Sequence, residues 1–134
     1  MRSHFLGITI AAATLLAPFA ALAGETLSVP AGRSSVVGGF NVYNPNTCGT
    51  AGKPQMKVHS APAHGSVSFK WVLTKFSDEF TVCKGKPAHS MLIIYTPHKG
   101  FHGQDSFTWG ARFESHEVGS QTGYKTAEIT VNVK

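Results

Sequence analysis

DSFTWGARF, residues 105–113, alternates apolar and polar side chains so that Phe107, Trp109, Ala111 and Phe113 fall on one face. A period of two is the signature of extended chain, so the stretch reads as a strand with one buried face. The closing segment YKTAEITVNVK, residues 124–134, repeats the pattern with Ala127, Ile129, Val131 and Val133. These two apolar faces are the expected core, because facing strands stabilise each other through such cross-strand pairs.

Working outward, β-branched and aromatic runs recur at TLSVP (26–30), SSVVGGFNVY (34–43), MKVHS (56–60), GSVSFKWV (65–72) and MLIIYTP (91–97), separated by Gly, Pro and Asn clusters. Seven short strands with turn signals between them predict an all-β sandwich. Two segments fit less simply. NPNTCGTAGKPQ (44–55) is a loop rich in turn residues. The stretch LTKFSDEFTVCKGKPAHS (73–90) sets Phe76 and Phe80 four apart around Asp78 and Glu79, compatible with one helical turn or another strand.

The first 23 residues, MRSHFLGITIAAATLLAPFAALA, combine a basic start at Arg2, an apolar run from Phe5 to about Leu16 and the small-x-small ending Ala21-Leu22-Ala23. This is the pattern of a secretory signal peptide cut before Gly24. There is no twin arginine, no Cys beside the cleavage site and no second apolar span, so the expectation is one domain over residues 24–134, periplasmic or secreted, with no stable membrane anchor. The chain holds two cysteines, Cys48 and Cys83, and an exported protein meets an oxidising compartment. One disulfide follows, worth about 4 kcal/mol on the chain-entropy estimate.

Without Arg2 the chain carries 11 Lys+Arg against 7 Asp+Glu, and the excess is local. Lys53, Lys57, Lys70, Lys75, Lys84, Lys86 and Lys99 face only Asp78 and Glu79 between residues 53 and 99. Export argues against nucleic acid as a partner, whereas a basic field attracts an anionic envelope polymer, an acidic protein or lipid headgroups at low salt. The first six of these lysines are the candidate contact surface; the alternative is a solvated face that keeps a small protein soluble.

The block APAHGSVSF (61–69), followed by IIYTPHKGFHGQDSFTW (93–109) and AEITVNV (127–133), resembles the bacterial Ig-like, cadherin-like domains. Their pattern runs P-x-x-G-x-V, then Y-x-P-x-x-G-F-x-G-x-D-x-F-x-Y, then a terminal β-branched strand. Pro62, Gly65, Val67, Tyr95, Pro97, Gly100, Phe101, Gly103, Asp105 and Phe107 match it, with Trp109 at the last aromatic position. The resemblance covers roughly residues 56–134 and implies an Ig-like antiparallel β-sandwich in an extracellular or periplasmic setting. It implies a binding or structural module, with no enzymatic activity and no cofactor. This chain departs from the family's usual tandem arrays as a single exported copy with a disulfide and the extra 73–90 segment.

The residues of that block also have a direct physical reading. Pro97 lacks an N–H and ends strand pairing, Gly100 and Gly103 permit positive φ, and Phe101 can plug the sandwich end. Asp105, just before a strand, is expected to accept backbone N–H bonds from its own turn. His98 and His102 occupy unspecified positions of the motif. They are nevertheless the candidates for an alternative function, zinc or copper binding, which needs a third ligand from another loop because Pro97, Gly100 and Gly103 disfavour the helix that would place His-x3-His on one face. Asp105 as a calcium ligand lacks nearby carboxylates. His116 beside Glu114 and Glu117 is the only conceivable acid–base group, and no nucleophile elbow or zinc-protease motif is present. Of the two tryptophans, Trp71 is the one available for stacking a sugar, because Trp109 lies on the core face.

Overall fold

The computed structural model describes residues 25–115 and 121–134; the expected signal segment 1–23, and His116 with Glu117, lie outside the described residues. Seven strands form: β1 (Thr26–Val29), β2 (Ser35–Phe40), β3 (Gln55–Ser60), β4 (Gly65–Lys75), β5 (Pro87–Pro97), β6 (Gly103–Ser115) and β7 (Gln121–Val133). They make two sheets, one ordered β1-β7-β6-β3 and the other β2-β5-β4. All pairings are antiparallel except β1 with β7, which run parallel with Val29 opposite Val133. The sandwich expected from the period-two segments is therefore present, with the first strand lying alongside the last.

The core sits between the sheets and is built from the faces read off the alternation. Phe107, Trp109 and Ala111 of β6 and Val131 and Val133 of β7 are buried against Met91, Ile93 and Tyr95 of β5. Phe113, Ala127 and Ile129 are partly buried and pack on the same cluster. Phe40 of β2 links the layers, its ring 5.7 Å from that of Trp109 and 5.5 Å from that of Phe113. A full side chain such as Phe or Met contributes about 1.5–3 kcal/mol on burial, so this cluster is the main source of stability.

The 73–90 segment resolves as neither a helical turn nor a separate strand. β4 runs on to Lys75 and β5 begins at Pro87, so the two form a long ribbon whose connection, residues 76–86, is a series of turns. Phe76 and Phe80 serve a second, smaller core instead, with Cys48, Cys83, Ala88 and Tyr43. Three ring pairs, Tyr43–Phe76, Tyr43–Phe80 and Phe76–Phe80, stand 5.1–5.4 Å apart, the spacing of tilted and edge-to-face aromatics.

Candidate binding surface

Each end of the β4–β5 ribbon is closed by its own device, and these devices absorb most of the residues that looked chemically interesting. At the Gly65–Pro97 end, Asp105 is 6 % exposed, the sole polar residue among the buried ones described. Its Oδ1 accepts from the backbone N–H of Ala63 and of Ser106, each at 3.0 Å. Its Oδ2 accepts from the N–H of His64 at 3.0 Å and from the Tyr95 hydroxyl at 2.7 Å. Asp105 thus does accept backbone hydrogen bonds, but chiefly from the 61–64 turn rather than from its own connection. These three backbone bonds and the Tyr95 hydroxyl together compensate the cost of burying a carboxylate.

The neighbouring motif residues fit around this group. Gly65 leaves room for the Tyr95 ring: a Cβ there would sit 2.6 Å from both Tyr95 Cε2 and the Thr96 carbonyl oxygen. Gly100 and Gly103 adopt φ of 81° and 127°, as the connection requires. The Phe101 ring stacks on His64 at 4.2 Å and packs against the core, closing the sandwich end. Burial, then the hydrogen bond to Asp105 and its charge, push the Tyr95 hydroxyl well above its ordinary pKa of 10.0.

At the opposite end the expected disulfide is present: Cys48 and Cys83 are joined, 35 residues apart in sequence, with Cα atoms 5.5 Å apart. Cys48 holds a positive φ of 59° in a turn where its N–H donates to the Asn44 carbonyl and Asn44 N–H donates to the Gly49 carbonyl. The bond ties this loop to the 76–86 connection. A disulfide is consistent with a non-cytoplasmic protein, and among the described residues no helix is long and apolar enough to cross a membrane.

His98 and His102 are both exposed, and the His98 backbone N–H donates to the His64 carbonyl at 2.8 Å. Among the described residues no group of three His, Cys, Asp or Glu side chains gathers in a way that would hold a metal ion. Trp71 is half-buried and stacks on His89, ring centroids 5.5 Å apart and nearly parallel, so its face is already covered rather than free for a sugar. Glu114 forms an ion pair with Arg112 at 3.7 Å.

The candidate lysines divide into two groups. Lys70 pairs with Leu92 between the buried Met91 and Ile93, so it points away from the core on the three-stranded sheet. Lys75, Lys84 and Lys86 lie toward the far end of the same ribbon, where Lys84 is 3.4 Å from Asp78. Lys57 instead pairs with Gly110, next to the pairing of Met56 with the buried Ala111, and so points outward from the four-stranded sheet. Lys53 lies just before β3 on that side. The basic residues between 53 and 99 therefore face opposite sides of the sandwich.

On the outer face of the four-stranded sheet, strand register builds two adjacent rows. Gln55, Arg112 and Tyr124 are opposite one another across β3, β6 and β7, and Lys57, Gly110 and Thr126 form the next row. Two shallow clefts share Gln55 and Arg112 here, of about 180 and 370 Å³. Lys53, Lys57 and Arg112 line them on this face, with Glu114, already engaged by Arg112, as the one acid among the described lining residues; Lys125, also at the rim, is the register partner of the inward-facing Ala111. Tyr124 is 74 % exposed. Arg112 and Tyr124 escaped the sequence reading, although the alternation that turns Ala111 and Phe113 inward also turns Arg112 outward. Comparison with known proteins finds no matching family model, no matching curated protein and no matching solved structure.

Proposed function

We propose that this protein is a non-enzymatic, exported binding module of the bacterial cell envelope, with an Ig-like, cadherin-like sandwich that recognises an anionic partner through the outer face of its four-stranded sheet. The Ig-like reading is supported by the sheet order β1-β7-β6-β3 over β2-β5-β4 and by the way Gly65, Tyr95, Pro97, Gly100, Phe101, Gly103 and Asp105 together build one sandwich end. Export is supported by the signal-like residues 1–23 and by the disulfide.

The observation that carries the binding reading is the set of three cations, Lys53, Lys57 and Arg112, around two contiguous clefts with one acid, itself ion-paired. The ribbon end is a weaker candidate, because Asp78 and Glu79 lie among its lysines and Lys84 is paired. Such a surface acts through a screened field that reaches about 10 Å at 0.1 M salt. The protein is expected to be retained on a carboxylated matrix at low salt and released as salt rises. Lys53→Glu with Lys57→Glu is expected to abolish retention, whereas Lys84→Glu with Lys86→Glu leaves most of it. A wild-type protein that passes straight through at low salt contradicts the proposal.

A further inference from the structure

We infer that the outer face of the four-stranded sheet binds a carboxylated glycan, stacked on Tyr124 and held through its carboxylates by Arg112 and Lys57; this rests on the reading of that face as the binding surface. A cationic patch alone attracts any polyanion, but this one surrounds an exposed aromatic ring. Tyr124 is exposed in the interior of a strand, where a large ring is normally turned toward the core or covered by a neighbour. Its register partner is Arg112, and the next row beside that pair is Gly110 with Thr126. His59 lies over Gly110 so closely that any Cβ there would collide with its imidazole, which makes His59 the side wall of the cleft.

The chemistry of these groups fits one ligand class. A sugar ring carries an apolar C–H face and an equatorial belt of hydroxyls, so it can lie on the Tyr124 ring while Gln55 and Thr126 meet the hydroxyls. The planar guanidinium of Arg112 takes a carboxylate through two parallel hydrogen bonds, and Lys57 supplies a point charge one row away. The Arg112–Glu114 pair is surface-exposed on both sides, so the guanidinium gives it up at little cost. Adjacent strands are about 4.8 Å apart, so the three-strand row presents Gln55, Arg112 and Tyr124 at the spacing of successive contacts along an extended chain. On the next row beyond Gly110, Thr108 faces Glu128, which lines a separate cleft and closes the cationic region on that side.

An acidic peptide is the competing polyanion, and it has no use for the ring. Calorimetric titration of the intact protein with oligogalacturonate, a neutral glucan oligomer and poly-glutamate separates the cases. Oligogalacturonate is expected to bind, the neutral glucan to bind at least roughly tenfold more weakly, and Tyr124→Ala to cost roughly tenfold in affinity while Tyr124→Phe retains it. The thermal midpoint of each variant, compared with the wild type, confirms that the exposed substitution leaves the fold intact. The glycan inference is overturned if poly-glutamate binds as tightly as oligogalacturonate, or if Tyr124→Ala binds oligogalacturonate like the wild type. If in those cases Lys53→Glu with Lys57→Glu still removes retention on the carboxylated matrix, the anionic-partner reading stands and the glycan inference alone falls. If the wild type binds no polyanion, both fall.

Discussion

The two ends of the β4–β5 ribbon solve one problem in different ways. Around Gly65 and Pro97 the closure is a buried carboxylate that gathers two backbone N–H groups and a tyrosine hydroxyl from across the fold. Around Lys75 and Pro87 it is a covalent bond between loops, packed under Tyr43, Phe76 and Phe80. The polar closure depends on charge and on every donor being present, because each donor left unpaired in a buried place costs about 1–3 kcal/mol. The covalent closure acts mainly on the unfolded chain, by shortening the loop it must close. One end is therefore sensitive to single substitutions, and the other to reduction.

The strongest test of that contrast is Asp105→Ala, which strands the Ala63 and His64 N–H groups and the Tyr95 hydroxyl together and is expected to cost roughly 4–5 kcal/mol. Hydrogen exchange should rise at 61–65 and 95–104 while 76–86 keeps its protection. Removing the disulfide as Cys48→Ser with Cys83→Ser is expected to cost about 4 kcal/mol by thermal unfolding, with the reverse pattern of exchange. Equal loosening of both ends in either variant would show that they are one cooperative unit.

Smaller perturbations sharpen the polar end. Gly65→Ala drives a methyl into the Tyr95 ring and is expected to cost roughly 2 kcal/mol in denaturant unfolding, a steric loss that leaves Asp105 untouched. Tyr95→Phe removes one charge-assisted hydrogen bond and should cost about 1.5 kcal/mol. The same hydroxyl sets a pH window. Its folded pKa lies above the unfolded value, so its contribution is fully present below pH 10 and is lost as pH rises from there toward the folded value. Tyr95→Phe should unfold with a shallower alkaline limb than the wild type; identical limbs would remove Tyr95 from the account.

This contrast also marks what was legible in the sequence. The strands were, because Phe107, Trp109 and Ala111, or Val131 and Val133, carry a period that only an extended chain satisfies. The disulfide was, because two cysteines allow one pairing. The role of Asp105 was half legible: its acceptor chemistry followed from its place before a strand, but its main partners lie 41 and 42 residues away, and local sequence carries no record of that distance. Phe76 and Phe80 misled by their helical spacing, since the disulfide and Tyr43 reward the same spacing in a knot of turns. The candidate surface was the least legible part. Counting lysines along the chain joined Lys57 to Lys70, whereas the register sends them to opposite faces and brings in Arg112 and Tyr124, which no charge count would select.

On the proposed reading, architecture and recognition are carried by separate residues: the ends hold the sandwich, and the outer face of the four-stranded sheet would meet the partner. Amide and side-chain NMR shift mapping during titration with oligogalacturonate tests this most directly. Shifts are expected to concentrate at Lys53, Lys57, Arg112 and Tyr124, with Asp105, Tyr95 and the Cys48–Cys83 end unmoved. Shifts clustered at residues 76–86, or at His98 and His102, would contradict it.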